Sequence, residues 1–422
     1  MSGEFLRPVF FDRRDGFISD ERFYAAGRSH KSFIPLKVED TIPLPKDTIL
    51  FHLPERSPVV FDSNLHPVSL IDRVPVAAFI PPGYTQSLLS SFVRKDSAAV
   101  LLPLYSYTAV GMYRGRLRVA AILVDQDKRH QISAFKEDVI IKKGERLIKE
   151  FPGNRLIKHL VLKCAYKYRC PNARNLIMHR SEAPLPVSSR CNSRCIGCIS
   201  FQKKSSGIES SQERIDFTPT EDEILEVAEY HIRNVKRPIL SFGQGCEGEP
   251  LLNAETILKV IERIRKRYKR VTININTNGS MPERLKSLFI AGLNSARISL
   301  NSFNEGVYTA YYKPAGYTFQ DVIRSIEIGK RLNRWISINY LTFPGFTDSL
   351  EELKALKKVL KKVRVDMLQL RNLNIDPDLY IEKVCPQRPE GIIGLKEWMG
   401  IVSREFPHIR FGYFNPYILE FT

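Results

Sequence analysis

From residue 186 onward, short apolar runs alternate with longer stretches in which apolar residues recur every three to four positions. The short runs predict strands at 186–189, 239–242, 271–276, 295–300, 336–343 and 367–370. The longer stretches predict helices. Thr220 followed by Glu223 resembles a capping box ahead of an apolar helical face at 224–232. Ile257, Leu258, Ile261, Ile264 and Tyr268 fall on one face of a helix over 254–270. Leu353, Leu356, Val359, Leu360 and Val363 do the same over 350–363. Strand-then-helix units in succession imply a parallel sheet, and right-handed connections would curl it toward a partial barrel.

The region before residue 180 reads differently. Prolines are frequent (Pro35, Pro43, Pro45, Pro54, Pro58, Pro67, Pro75, Pro81, Pro82) and the apolar runs between them are short. Residues 108–125 predict a β-hairpin turning at Arg114-Gly115, and 76–80 another buried strand. Residues 145–174 predict helix, interrupted at Pro152-Gly153. The expected fold class is α/β: a partial (β/α)6 barrel over 181–375, preceded by a β-rich α+β domain over 1–180. Residues 376–422 are expected to form an extension packed on the core.

Composition narrows the class. With 422 residues, 43% apolar and 26% charged, the chain reads as an ordinary soluble globular protein with room for two or three domains. Arg13 and Arg14 interrupt the early apolar stretch at 5–11, so no signal peptide is read, and no run of about 18 apolar residues suggests a membrane span. The expected location is cytoplasmic. Seven cysteines, three of them within eight positions, fit metal or redox chemistry better than a disulfide scaffold. The net charge of +18 is concentrated between Lys128 and Arg180. Such a surface suits nucleic acid, an acidic peptide or a phosphorylated ligand, and equally a solvated, thermally robust exterior.

The densest chemical signal is Cys191-Asn192-Ser193-Arg194-Cys195-Ile196-Gly197-Cys198, after the first predicted strand. Three thiolates on one tight loop can converge on one metal centre. A structural zinc site would want a fourth ligand in paired spacing, and none follows. Three thiolates on a four-iron cube leave one iron open for chemistry.

A CxxxCxxC loop in this position resembles the radical S-adenosylmethionine superfamily, over roughly residues 184 to 375. The resemblance implies a [4Fe–4S] cluster on Cys191, Cys195 and Cys198, whose free iron chelates S-adenosylmethionine. It also implies one-electron cleavage of the sulfonium, supplied by a flavodoxin- or ferredoxin-like donor, and hydrogen abstraction by the resulting 5′-deoxyadenosyl radical. Gly248-Glu249-Pro250 resembles the family's "GGEP" segment, which would bind the methionine amino group, and Asn276-Thr277-Asn278-Gly279 its "TNG" segment. By the same resemblance Asn276, Thr277, Asn278, Ser299 and Asn301 are candidates for the methionyl or ribose part. One departure is Gly197, where the family usually has an aromatic residue near the adenine; Phe201 or a backbone segment would have to substitute.

On the sixth predicted strand Gln369 and Arg371 share one face, and an inward arginine is expected to meet a carboxylate of S-adenosylmethionine or substrate, an internal ion pair being the alternative. Cys246 lies in the expected ligand loop and is a candidate catalytic thiol. Cys164, Cys170, Cys246 and Cys385 show no tight ligand spacing, and buried apolar cysteines are their plainer reading.

The substrate classes left open are RNA, protein and an anionic small molecule such as a cofactor precursor. A nucleic-acid-binding protein with a structural metal site is the competing function. Reduced, reconstituted protein is expected to produce 5′-deoxyadenosine, measured by chromatography, and Cys191→Ala to abolish it; a protein that folds only with zinc would contradict this.

Overall fold

Seven parallel strands pair in sequence order into one curved sheet: β1 (Glu182–Leu185), β2 (Ile239–Phe242), β3 (Thr272–Thr277), β4 (Ser295–Leu300), β5 (Trp335–Thr342), β6 (Met367–Asn372) and β7 (Arg410–Gly412). The computed structural model describes residues 4–420 apart from residue 15. Eight helices cover or flank the sheet: α1 (Glu221–Asn234), α2 (Ala254–Arg267), α3 (Pro282–Ala291), α4 (Glu305–Tyr312), α5 (Phe319–Arg331), α6 (Leu350–Leu360), α7 (Pro377–Val384) and α8 (Leu395–Glu405). This is the α/β architecture that the alternating pattern implies. The capping box at Thr220 and Glu223 starts α1 as expected.

Strands covered on both faces carry few exposed residues, and all six positions of β3 are buried. Ile273 and Ile275 join the apolar core, while Asn274 and Asn276 take the opposite face. There Asn274 accepts from Ser295 Oγ (2.8 Å) and donates to Ser241 Oγ (3.2 Å), a polar layer linking β2, β3 and β4 across the lumen.

Two expectations about the sheet need correction. The first strand lies at Glu182–Leu185, not at 186–189. Strand β1 is an edge, where Pro184 is tolerated. The amides of Val187 and Ser188 leave the ladder because they donate to the Glu247 carboxylate (2.7 and 3.0 Å). The C-terminal extension also does more than pack on the core. It contributes β7, and beyond it Asn415 reaches Glu182 (2.9 Å) and Asn276 (3.3 Å), while the amide of Ile418 donates to Thr272 Oγ1 (3.0 Å). The segment after β7 therefore crosses toward the starts of β1 and β3 and closes that end of the lumen.

The N-terminal region is built of short antiparallel strands. The predicted hairpin is present, as Val110–Tyr113 paired with Arg116–Val119 around a turn with positive φ at Arg114 and Gly115. The predicted strand at 76–80 overlaps the observed strand Val74–Phe79, which starts two residues earlier and ends one residue sooner. Helix begins earlier than expected, at Glu137–Glu150, and continues as Arg155–Lys158, a π-helical stretch His159–Lys167, and Pro171–Ile177. Ile140, Leu147, Leu160 and Val161 join the same apolar cluster as the barrel.

The β-rich region docks on the carboxyl ends of β5 and β6. Thr85 and Thr342 share a hydrogen bond (3.2 Å), the amide of Gln86 donates to Asn372 Oδ1 (2.7 Å), and that of His30 to Pro344 O (2.9 Å). Arg56 pairs with Asp376 at 3.0 Å, both side chains 1% exposed, and Arg28 with Asp378 at 2.6 Å. Asp376 also accepts from the amides of Leu102, Asp378 and Leu379. A buried pair so supported becomes costly when one partner is removed. Arg56→Met is expected to destabilise the protein by about 3–5 kcal/mol in denaturant unfolding, with Arg56→Met plus Asp376→Leu recovering much of the loss; an unchanged midpoint for the single variant would show that this pair does not hold the interface.

Candidate active site

The cysteine loop follows β1 and is fastened from two sides. From one side α4 supplies carbonyls: the amide of Arg194 donates to Tyr312 O (2.9 Å) and that of Ile196 to Tyr311 O (3.1 Å). From within, Gln202 Nε2 donates to the carbonyls of Ile196 and Cys198 (2.9 Å each). Arg214 reaches over with Nη2 3.4 Å from Cys198 Sγ and Nε 3.2 Å from Ser200 Oγ. Burial pushes the Cys191 thiol up to about 11, with the neighbouring Glu249 adding to it. Cys195 is pushed well above its ordinary value by burial and by the other two thiols. Protons held this firmly leave when a cation replaces them.

The opposite side of the loop is set by the segment after β2. The amide of Gly248 donates to Ser188 O (2.7 Å) and that of Glu249 to Arg190 O (2.8 Å). A Cβ on Gly248 would sit 1.9 Å from Arg190 O, so only glycine permits this approach. Glu247 accepts from the amides of Val187, Ser188 and Gln244, and burial raises its carboxyl to about 8. Glu249 accepts from Thr277 Oγ1 and from the amides of Asn278 (2.8 Å) and Leu251 (3.1 Å), and burial raises it to about 7. Asn278 Nδ2 returns to the cysteine loop, at Asn192 Oδ1 (2.8 Å) and Ser193 Oγ (2.9 Å). Gly248, Glu249, Thr277 and Asn278 are thus gathered against the loop, as their order along the chain suggested.

The remaining sequence candidates divide. Asn276 donates to the carbonyls of Phe242 and Gly243 (3.1 and 2.8 Å) and accepts from Asn274, a fully engaged lumen residue. Asn301 is buried and donates to Tyr380 Oη (3.1 Å), while its Oδ1 has no hydrogen-bond partner among the described residues. Ser299 is half-buried, two residues from Arg297 on the same strand. Phe201 is 56% exposed and lies under Arg214, with the guanidinium 5.1 Å from its ring. The space beside Gly197 is taken by Tyr311 instead: a Cβ there would be 2.8 Å from its hydroxyl. An aromatic ring therefore stands beside position 197 after all, delivered from α4.

Gln369 and Arg371 do share the lumen face. Arg371 donates Nε to Asn339 Oδ1 (2.9 Å) and Nη2 to Tyr413 O (2.6 Å), and its guanidinium lies 3.7 Å from the Tyr413 ring centroid. Among the described residues it makes no ion pair, so the internal-pair alternative is not what the fold adopts. Sequence reasoning missed Arg297, which donates to Gln369 Oε1 (3.2 Å) and leaves a buried Nε without a partner. Burial and the nearby Arg371 lower it to about 9. These two arginines line a cavity of about 310 Å³, together with Glu182, His130 and Asn415, which reaches Ile199 just after Cys198. Burial lowers His130 to about 4, leaving a neutral imidazole bonded to Asn172 (2.7 Å). Alternation along β4 gave the signal for Arg297; nothing in the sequence marked His130.

The donor set fits a multinuclear cluster. The three loop thiols are free, and among the described residues their sulfurs do not all fall within 4.8 Å of one another, wider than a single tetrahedral ion gathers its ligands. A family model described as the Radical SAM superfamily matches residues 185–356. The chain carries a radical SAM domain and is a radical SAM enzyme, with a [4Fe–4S] cluster and S-adenosylmethionine as its cofactors.

No curated protein matches the chain in sequence. Solved structures resemble it distantly. HydG, a maturase of the [FeFe]-hydrogenase, is 14% identical with 68% of this chain and 67% of that one covered, at a TM-score of 0.40. Methylornithine synthase (PylB) is 12% identical, with 64% and 78% covered and a TM-score of 0.37. SuiB of Streptococcus suis, solved with its precursor peptide SuiA, is 13% identical, with 59% and 54% covered and a TM-score of 0.39. Likeness this distant carries nothing about the substrate.

Gly248→Ala is expected to force the 1.9 Å contact apart, to cost about 1–3 kcal/mol as an overpacked site, and to lower the iron retained after reconstitution; wild-type iron content and stability in that variant would contradict the close approach.

Proposed function

We propose that this enzyme abstracts hydrogen from a small substrate bearing a carboxylate or phosphate, held in the barrel lumen by Arg297 and Arg371. The observation that carries this is the lumen's charge. Two half-buried guanidinium groups face one cavity, one keeps a buried nitrogen without a partner, and the hydrogen bonds they make go to neutral oxygens. Burying two like charges side by side is costly unless an anion is meant to arrive. Glu182 on the same wall offsets part of this charge, but its hydrogen bond goes to Asn415 and its ion pair, at 3.9 Å, to Arg129, so neither lumen arginine is bonded to it. The cavity's volume lies at the lower end for small-molecule sites, which favours a small anion over RNA or a folded protein.

Cys191, Cys195 and Cys198 would hold the cluster, and Arg214 would screen the charge gathered at Cys198. When bound, the cluster and S-adenosylmethionine supply the one-electron radical chemistry, fed by an external reductant such as a flavodoxin or ferredoxin. Asn301, with its free Oδ1, and Ser299 are the polar groups we assign to S-adenosylmethionine. Glu249, Asn276, Thr277 and Asn278 hold the loops around it, and the backbone of Gly248 fixes the cysteine loop. Tyr311 would pack where the family's aromatic residue lies. Gln369 orients both arginines through its Oε1. Seven free cysteines suit a reducing compartment. We draw the accessory unit as the β-rich region up to residue 124, grouping the helices that follow with the barrel whose core they share.

The test is the ligand retained by anaerobically purified protein, identified by mass spectrometry. Wild type is expected to retain a carboxylate- or phosphate-bearing compound. Arg297→Gln and Arg371→Gln are each expected to weaken its binding about ten- to a hundredfold, the loss of one charge-assisted hydrogen-bonding group, while still cleaving S-adenosylmethionine without substrate. A neutral or cationic ligand bound equally by both variants, or stimulation by RNA alone, would refute the reading.

A further inference from the structure

Three cysteines distant in sequence from one another or from the radical loop converge beside the lumen. Cys164 comes from the π-helical stretch, Cys170 from the turn after it, and Cys246 from the loop after β2. All three line the same cavity as Arg297 and Arg371. A ring nitrogen of His159 and the sulfurs of Cys164 and Cys246 lie within 4.8 Å of one another. Cys164, Cys246 and Cys385 are all buried in the apolar core, as their plainer reading expects, but Cys164 and Cys246 lie together beside His159, while the carbonyl of Cys385 is bonded to His30.

The backbone is shaped to make this meeting. In an α-helix, residues five apart point about 140° away from each other. Over His159–Lys167 the chain adopts π geometry, with the amide of Tyr168 donating to Lys163 O (3.0 Å), and five residues then make little more than one turn. His159 and Cys164 are brought to one face in that way. Nine residues of π-helix are far longer than the single-turn bulge usually seen, and such departures gather at functional sites. His159 Nε2 is buried and makes no well-aligned hydrogen bond among the described residues, its ring interacting with the Cys246 thiol, an arrangement that a shared ion would satisfy. The amide of Cys170 donates to Cys164 O (2.7 Å), which keeps the third thiol next to the other two.

We propose that His159, Cys164 and Cys246 form a second metal site, separate from the radical cluster, for a single thiophilic divalent ion of the zinc type. Sulfur and nitrogen ligands at about 2.3 and 2.1 Å around a tetrahedral ion lie roughly 3.5–3.8 Å apart, and small side-chain rotations bring this trio to that spacing. A four-iron cube spreads its ligand sulfurs farther and is the poorer fit. Cys164 and Cys246 line the cavity, so the ion would stand at the wall of the chamber that holds Arg297 and Arg371. It would also pin the π-helical stretch to the loop that carries Gly248, two residues beyond Cys246.

The experiment uses the full chain with the radical loop silenced as Cys191→Ala/Cys195→Ala/Cys198→Ala, titrated anaerobically with cobalt(II) and then zinc. One equivalent of cobalt is expected, with thiolate charge-transfer absorption that zinc displaces. Adding Cys246→Ser or His159→Ala is expected to weaken cobalt binding at least tenfold. Because these variants could lose their fold, a second measurement leaves the site intact. In reconstituted wild-type holoenzyme, zinc is expected to protect Cys164 and Cys246, but not Cys385, from alkylation in partial denaturant, read by peptide mass mapping. Absence of the thiolate band, undiminished binding after Cys246→Ser, or equal alkylation with and without zinc would overturn the proposal.

Discussion

The site depends on one close approach: the backbone after β2 lies directly against the backbone of the cysteine loop. Gly248 and Glu249 donate to Ser188 and Arg190, and Glu247 takes the amides of Val187 and Ser188 in return. These contacts end β1 at Leu185, lift the following residues out of the ladder, and fix where Cys191 begins. A side chain at position 248 would occupy the space of a carbonyl oxygen. Buried amides and carbonyls that find partners in this way make the loop rigid before any cluster arrives.

The same approach organises the rest of the lumen. Glu249 passes the constraint to Thr277 and Asn278 at the end of β3, and Asn278 passes it back to Asn192 and Ser193. On the far side α4 holds the loop through the carbonyls of Tyr311 and Tyr312, and its Tyr311 ring fills the gap beside Gly197. Below, the segment after β7 closes the sheet's open end through Asn415. What is left inside is a cavity lined by Arg297, Arg371 and Glu182 and by three cysteines. Radical chemistry needs its substrate shielded from water, and a cavity set inside the barrel serves that need.

The accessory region acts at a different level. It sits on the carboxyl ends of β5 and β6, anchored by the buried Arg56–Asp376 pair and by Thr85 and Gln86. That is the end of a parallel sheet where ligands ordinarily enter. The basic stretch at 128–180, which suited either a charged partner or a solvated exterior, lies outside this region, largely on helices whose apolar faces belong to the barrel.

The sequence by itself determined the class. Thiol spacing, the order of Gly248-Glu249-Pro250 and Asn276-Thr277-Asn278 behind it, and the 3.6-residue periodicity of the helices are local properties, and local chemistry writes them plainly along the chain. Strands 239–242 and 295–300 stand where their apolar runs placed them. Only the tertiary structure decided the contents of the lumen. Arg297 and Arg371 meet because two strands curl toward one axis, Tyr311 reaches Gly197 across more than a hundred residues, and β7 joins the sheet from a segment with too short an apolar run to announce a strand. His159, Cys164 and Cys246 converge because a helix adopts π geometry, which shifts side chains around the axis without leaving a mark in spacing. Such meetings depend on the relative placement of whole elements, and that is fixed by packing rather than by any stretch of sequence.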